Sequence, residues 1–167
     1  ETVNKYPGAP SVLHIEIKND VSFSLGNKKI IPINVYHGML QVFGFRIDDF
    51  AYLTDVKTIA KEEIEKLKGI KILVVNALRE EAHDTHFNLQ EALDFIDLVK
   101  PEQTYLTHIS HIFGFHEEIQ KKLPKNVYLA YDNLEIKIEF TMKKSLFLYL
   151  FILAVLMNIF TYMYYSK

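Results

Sequence analysis

Residues 71–75 read Lys-Ile-Leu-Val-Val, a continuous apolar run that predicts a strand buried on both faces. A charged helix is predicted before this run, over residues 61–68, and Gly69 ends it. An amphipathic helix is predicted after the run, over residues 88–99, and Pro101 follows its end. Buried strands that alternate with helices predict a layered α/β domain.

The first third of the chain predicts antiparallel strands rather than alternating strands and helices. Alternating and apolar runs predict strands at residues 12–17, 21–25, 29–36, 42–47 and 50–54. The last two would form a hairpin across Asp48-Asp49. Beyond the second helix, shorter patterns predict a helix at residues 115–123 and strands at 104–107, 127–130 and 134–140.

The C-terminal residues 145–165 read SLFLYLFILAVLMNIFTYMYY, without charge, proline or glycine. A helix of this length spans roughly the 30 Å of a bilayer core, which predicts a transmembrane helix over residues 143–166. A buried core helix is the alternative. Lys143 and Lys144 precede the segment and only Lys167 follows it, which favours a cytoplasmic location for the domain of residues 1–140.

That C-terminal pattern has two explanations that the sequence leaves open. The segment could be a genuine membrane anchor, so that residues 145–165 contact the membrane. Alternatively, Met142-Lys143-Lys144 could mark the start of a second gene joined by a lost stop codon, which would leave a cytoplasmic protein.

Charge and cysteine content restrict the classes of function. The net charge is -2, so no overall basic field argues for binding of nucleic acid. The chain has no cysteine, which excludes disulfides and thiolate metal sites. Any metal ion must therefore be held by histidine, aspartate or glutamate.

Four residues form the candidate site, because each lies where a predicted strand ends or a predicted helix begins. They are His37, Asp55, His86 and His108. Ligands of α/β folds gather at the carboxyl ends of strands. Imidazole and carboxylate groups there suit zinc, manganese or iron. Their wide spacing is a weak signal by itself, since neither His-x-His nor His-x-x-x-His occurs.

The other histidines have simpler interpretations. We expect His14, His83 and His116 to be exposed on polar surface, although His83 could orient His86 from one helical turn away. His111, three residues after His108, could support a neighbouring ligand, contact substrate or begin a helix.

Several segments resemble the C-terminal half of the metallo-β-lactamase-fold hydrolases, in the branch of the cyclic phosphodiesterases and the tRNA 3′-processing endonucleases. The most specific are Tyr52-Leu53-Thr54-Asp55 and Leu106-Thr107-His108-Ile109-Ser110-His111. The resemblance runs from about Tyr6 to Ile138. It implies an α/β fold that is the C-terminal half of an αββα sandwich.

The resemblance also implies roles for the four residues. His37 would be a ligand of the first metal, Asp55 the carboxylate that bridges two metals, and His108 a ligand of the second. His86 would be a catalytic histidine outside the coordination shell, placed to protonate the leaving oxygen. The implied cofactors are two divalent ions, zinc or manganese, with iron also compatible.

One element of the family pattern does not occur in this sequence. The family's His-x-His-x-Asp-His string supplies most of the metal ligands, so the chain by itself is expected to bind metal weakly. We therefore expect an incomplete two-metal phosphodiesterase acting on a small phosphodiester, with RNA less favoured and a homodimer left open. The alternative is a non-catalytic, membrane-tethered remnant or binding module.

Overall fold

The computed structural model describes residues 14–138. The chain divides into two compact units, Glu1–Asp132 and Asn133–Lys167. The first contains every helix and strand of the described residues. The described part of the second, residues 133–138, has neither.

Eight strands of the described residues form one sheet. They are β1 (Phe23–Leu25), β2 (Lys28–His37), β3 (Leu40–Ile47), β4 (Phe50–Leu53), β5 (Thr58–Ile59), β6 (Ile72–Asn76), β7 (Gln103–Thr107) and β8 (Val127–Leu129). The order across the sheet is β1-β2-β3-β4-β6-β7-β8, and β5 adds to β2.

The sheet has an antiparallel part and a parallel part, and the connections explain the difference. Strands β1 to β4 are antiparallel neighbours. Tight turns join them, with positive φ at Gly26, Gly38 and Asp48, a conformation that glycine and aspartate adopt readily. From β4 onward the strands are parallel. Parallel neighbours need longer crossovers, which the helices supply.

Three helices provide these crossovers. They are α1 (Lys61–Glu65), α2 (Leu89–Val99) and α3 (His116–Lys122). Helix α2 buries Ala92, Phe95 and Val99, on the apolar face that the sequence predicts. Strand β6 is buried along almost its whole length between β4 and β7, as its apolar run predicts. The α/β prediction is therefore confirmed, and the core lies around the parallel part of the sheet.

The transmembrane part of the fold prediction is corrected. In the described part of the chain, no helix is long and apolar enough to cross a membrane. The longest, α2, has 11 residues, about 17 Å against the roughly 30 Å of a hydrocarbon core. Residues 143–166, on which that prediction depended, lie outside the described residues.

Two predicted strands also differ from the structure. Residues 14–17 and 134–138 form no strand, although their side chains alternate or include apolar runs. Most of the side chains of residues 14–17 are exposed, so this segment does not pack against the core as a half-buried strand would. Residues 12–13 and 139–140 of these predicted strands lie outside the described residues.

Candidate metal centre at the carboxyl ends of the strands

The sheet topology brings the four candidate residues to one edge. Strands β2 and β4 run in the same direction, since each is antiparallel to β3, and β6 and β7 are parallel to β4. His37 is the last residue of β2, and His108 directly follows β7. Asp55 follows β4 by two residues, and His86 precedes α2. We call these four residues the histidine–aspartate cluster.

Two imidazole nitrogens of the cluster lie close to the Asp55 carboxylate. Nε2 of His86 lies 3.1 Å from Oδ1 of Asp55, and Nε2 of His108 lies 3.7 Å from the same oxygen. The rings of His86 and His108 are stacked, with centroids 4.6 Å apart. The ring of His37 meets that of His86 edge-on at 4.5 Å. One carboxylate is therefore surrounded by three imidazoles.

The backbone at two cluster residues adopts an uncommon conformation. Asp55 has φ 60° and His108 has φ 59°, both in the left-handed region. Non-glycine residues adopt it at a cost in free energy, although aspartate and histidine are among those that do so more often. Such strain is held in place by surrounding structure and clusters at functional sites.

Hydrogen bonds between the loops hold Asp55 and His86 together. The amide of buried Asn76 accepts a hydrogen bond from the Val56 N–H at 2.8 Å and donates to the Val56 carbonyl at 3.1 Å. The N–H of Phe87 donates to the same carbonyl at 2.7 Å. Because Val56 follows Asp55 and Phe87 follows His86, these bonds fix the separation of the two ligand-bearing segments.

His86 is the most enclosed member of the cluster, with 8% of its surface exposed. Burial lowers the pKa of its imidazole from the ordinary 6.5, the nearby His108 and His37 rings lower it further, and the hydrogen bond to Asp55 opposes the shift. The ring is therefore mainly neutral at neutral pH, which is the form that can bind a metal ion.

The arrangement fits a divalent cation. Two N or O ligands bound at about 2.1 Å to one zinc ion lie roughly 3.0–3.6 Å apart, close to the distances from Asp55 to His86 and His108. Ligand atoms of His37, Asp55 and His86 lie within 4.8 Å of one another. Imidazole and carboxylate are also the donors that zinc and manganese accept.

The structure brings all four sequence-predicted residues together, but it groups them differently. The three whose ligand atoms lie closest are His37, Asp55 and His86. The sequence instead predicts His37, Asp55 and His108 as metal ligands and His86 as the catalytic histidine. Those separate roles stay predictions.

The remaining histidines divide between expected and unexpected positions. His14, His111 and His116 are exposed, as expected for His14 and His116. His83 differs from the solvent-exposed expectation: it is half-buried, and its Nδ1 lies 3.3 Å from Nδ1 of His86. The alternative role, orienting His86, agrees better with this position.

Two residues near the cluster were missed by sequence reasoning. Asn76 closes the apolar strand Ile72–Asn76, and a polar residue at the end of a buried run is a signal that could have identified it. Thr85 contacts Nδ1 of His86 through its hydroxyl at 2.9 Å. Its only sequence signal is its place between His83 and His86.

A small cleft adjoins the cluster. It has a volume of about 250 Å³ and is lined by Thr107, His108, Ile109, Ala130, Tyr131 and Asp132. A larger groove of about 740 Å³ runs along the C-terminal part of α2 and shares no residue with the cluster. The cleft beside His108 is therefore the better candidate for a substrate that reacts at the cluster.

Comparison with known families assigns this chain to a protein family. Residues 2–109 match the family described as Beta-lactamase superfamily domain, which is more than half of the chain. The chain belongs to the β-lactamase superfamily. This membership confirms the predicted resemblance to the metallo-β-lactamase-fold hydrolases, and the use of divalent metal ions is a property of that fold.

Individual proteins match larger parts of the chain. A diphosphatase of the PhnP family is 37% identical with a TM-score of 0.69, over 73% of this chain and 48% of that chain. The octanoyltransferase of Porphyromonas gingivalis is 36% identical over 137 residues, which are 81% of this chain and 28% of that protein. The chain thus spans about half, or less, of the length of these relatives.

More distant structures support the fold alone. The short form of human tRNase Z is 20% identical, with a TM-score of 0.55 over 71% of this chain and 46% of its own. The metallo-β-lactamase-fold protein YhfI from Bacillus subtilis is 21% identical, with a TM-score of 0.58 over 70% of this chain and 52% of its own.

Proposed function

We propose that this chain carries part of the active site of a two-metal phosphodiesterase that hydrolyses a small phosphodiester. The observation that carries the proposal is the position of the Asp55 carboxylate, with one oxygen 3.1 Å from Nε2 of His86 and 3.7 Å from Nε2 of His108. A carboxylate at such a point can contribute one oxygen to each of two cations. Zinc and manganese are the proposed ions, and iron is chemically compatible.

In this proposal, three residues of the cluster bind the metal ions and the fourth donates a proton. His37 and Asp55 would hold the first ion, and Asp55 and His108 would hold the second. Bound there, the ions would polarise the phosphoryl group and activate a water molecule at neutral pH. His86 lies between the two ligand histidines, with its Nε2 directed at the carboxylate. From that position, His86 can give a proton at Nε2 to the leaving oxygen.

The cleft beside His108 favours a small substrate. A volume of about 250 Å³ suits a nucleotide-sized or smaller group better than a folded RNA. Tyr131, which is largely exposed, offers a ring face at the rim, whereas Asp132 adds a negative charge. With a net charge of -2, the chain also lacks the overall basic field that would attract a polyanion.

The comparisons support the same chemistry at a coarser level. The related structure with 37% identity is a diphosphatase, which is an enzyme of phosphoric-group chemistry. This chain spans 48% of that structure. The proposal therefore concerns the contribution of this chain's cluster to hydrolysis.

The first test measures metal binding by the full 167-residue chain. Zinc and manganese are titrated by calorimetry into the wild type, His37→Ala, Asp55→Ala and His108→Ala. Each variant should weaken binding at least tenfold, because it removes a ligand. His14→Ala is the matched control, since His14 is exposed and outside the cluster. Equal affinity in all five proteins would contradict the site.

The second test separates the role of His86 from that of the ligands. His86→Ala should retain the bound metal but slow metal-dependent hydrolysis of a chromogenic phosphodiester about 100-fold. Loss of metal in His86→Ala would instead make His86 a ligand, as the grouping with His37 and Asp55 allows. Metal binding without hydrolysis of any phosphodiester would favour the alternative, a non-catalytic binding module.

A further inference from the structure

We propose that Thr85 and His83 form a positioning pair for His86, in which the Thr85 hydroxyl fixes the His86 ring with Nε2 directed at Asp55. The catalytic consequence rests on the proposed function, whereas the structural claim about the ring does not. The pair acts through His86.

Three contacts place the pair around Nδ1 of His86. Oγ1 of Thr85 lies 2.9 Å from this nitrogen, and Nδ1 of His83 lies 3.3 Å from it. Oγ1 of Thr85 is also 3.3 Å from Nδ1 of His83. On the opposite side of the ring, Nε2 of His86 lies 3.1 Å from Asp55. The imidazole is thus held at both nitrogens.

The donors and acceptors can be assigned from these contacts. The Thr85 backbone N–H donates to Nδ1 of His83, so that nitrogen is an acceptor without a proton. Because a carboxylate only accepts, Nε2 of His86 carries a hydrogen directed at Asp55 in the metal-free chain. Nδ1 of His86 is then an acceptor, and its donor is the Thr85 hydroxyl.

His83 holds Thr85 in this position. Nδ1 of His83 accepts from the Thr85 backbone N–H at 3.3 Å and lies 3.3 Å from Oγ1 of Thr85. The ring of His83 therefore supports the segment whose hydroxyl contacts His86.

A steric contact fixes which way the Thr85 side chain points. A Cβ added at Gly38 would lie 3.1 Å from the Thr85 methyl carbon, so Gly38 and that methyl are close-packed. Gly38 also has φ 62°, which favours glycine. With the methyl against the β2–β3 turn, the hydroxyl faces the two histidines. The turn that carries His37 therefore also orients the partner of His86.

Three substitutions separate the hydroxyl from the shape of the side chain. Thr85→Val keeps the branched shape and removes the hydroxyl, Thr85→Ser keeps only the hydroxyl, and His83→Ala removes the ring that holds Thr85. Thr58→Val is the matched control, since Thr58 is exposed on β5 and is not a member of the cluster. Thr85→Ala replaces Thr85→Val if the latter does not fold.

The decisive readout is the ¹⁵N signal of the His86 ring in the metal-free 167-residue chain. The wild type, Thr85→Ser and Thr58→Val should show one protonated and one unprotonated nitrogen. In Thr85→Val the shift of Nδ1 should change, because this nitrogen loses its hydrogen-bond donor. Unchanged His86 shifts in Thr85→Val would overturn the proposal, whatever the hydrolytic activity.

Kinetics then connects the pair to the proposed reaction. Thr85→Val and His83→Ala should lower kcat for a phosphodiester about tenfold with little change in KM, and Thr85→Ser should restore most of it. A wild type that neither binds zinc or manganese nor hydrolyses the phosphodiester would defeat the proposed function but leave the ¹⁵N result to decide the positioning role. Equal kcat in the wild type and Thr85→Val, with altered ¹⁵N shifts, would overturn the catalytic part of the inference.

Discussion

Asn76 binds both backbone polar groups of Val56: its Oδ1 accepts from the N–H at 2.8 Å, and its Nδ2 donates to the carbonyl at 3.1 Å. Both residues are fully buried. One side chain therefore replaces the strand partner that the backbone loses after β4, at the position next to Asp55.

Asn76→Ala should destabilise the fold and loosen the cluster together. The change leaves an N–H unpaired and weakens the bonding of a carbonyl in a buried position, which costs about 2–4 kcal/mol. Urea unfolding measures the stability, and zinc titration of the folded protein should show about tenfold weaker binding. Gln41→Ala, at an exposed position of β3, is the control. Stability within about 0.5 kcal/mol of the wild type would contradict the role of Asn76.

Gly44→Ala should be strongly destabilising for a steric reason. A Cβ at Gly44 would overlap the side chain of Leu53 and lie 2.9 Å from the carbonyl oxygen of Tyr52, which is backbone and cannot move aside cheaply. We expect a loss of about 3 kcal/mol in urea unfolding. Gly26→Ala is the comparison, since a Cβ at Gly26 meets no atom within 4 Å. It should lower the free energy of unfolding by only about 1 kcal/mol, because alanine is strained in the left-handed conformation of Gly26. Equal losses would argue against close packing of β3 on β4.

The start of α2 depends on a reciprocal pair of hydrogen bonds. The Asn88 side chain accepts from the Glu91 N–H, and the Glu91 carboxylate accepts from the Asn88 N–H, each at 2.9 Å. Asn88→Ala should cost about 1 kcal/mol, and Asn88→Ser much less, because serine also caps helices. Urea unfolding of the three proteins checks the order. An alanine variant as stable as the serine variant would contradict the capping role.

Glu91 should also make stability depend on pH. Burial raises the pKa of its carboxyl, but the hydrogen bonds from Lys57 and Asn88 and the charge of Lys57 outweigh it, so the pKa is lowered. A carboxyl with a lowered folded pKa stabilises the protein above its unfolded pKa, near 4.5, and loses that contribution as pH falls through the folded value. The contribution should stay below about 1 kcal/mol, since the side chain is 37% exposed.

The measurement for Glu91 compares wild type and Glu91→Gln in urea from pH 7 to pH 3. The difference in unfolding free energy should be constant down to about pH 5 and shrink below it. Lys57→Met removes the partner and should reduce the same difference, because it deletes the 2.7 Å ion pair. A difference that does not change with pH would show that the ion pair contributes no pH-dependent stability.

The parallel core could be read from the sequence because its signals are local. The apolar run at residues 71–75 and the amphipathic spacing of α2 each report burial without reference to the rest of the chain. The addition of β5 to β2 could not be predicted, since two residues, Thr58 and Ile59, carry no detectable period. Pairing of this kind depends on tertiary contacts that no short window contains.

The sequence predicts which residues form the candidate site better than it predicts how they are arranged. Position at strand ends identifies His37, Asp55 and His108, because topology collects such ends at one edge. The enclosure of His86 and its contact with Thr85 depend on how one irregular segment, residues 77–88, folds back onto Val56. No periodicity describes such a segment, so the sequence predicts its polarity but not its path.

At Asp55 and His108, which have a left-handed backbone, the substitution that would increase stability would also remove a side chain of the cluster. Glycine would relieve the strain at either position, so Asp55→Gly and His108→Gly remove a side chain of the cluster while easing the main chain. A screen that rewards only thermal stability would then enrich glycine at both positions and erase the cluster. If aspartate and histidine are nevertheless retained at these two positions among variants, the retention would indicate selection for the function of the cluster.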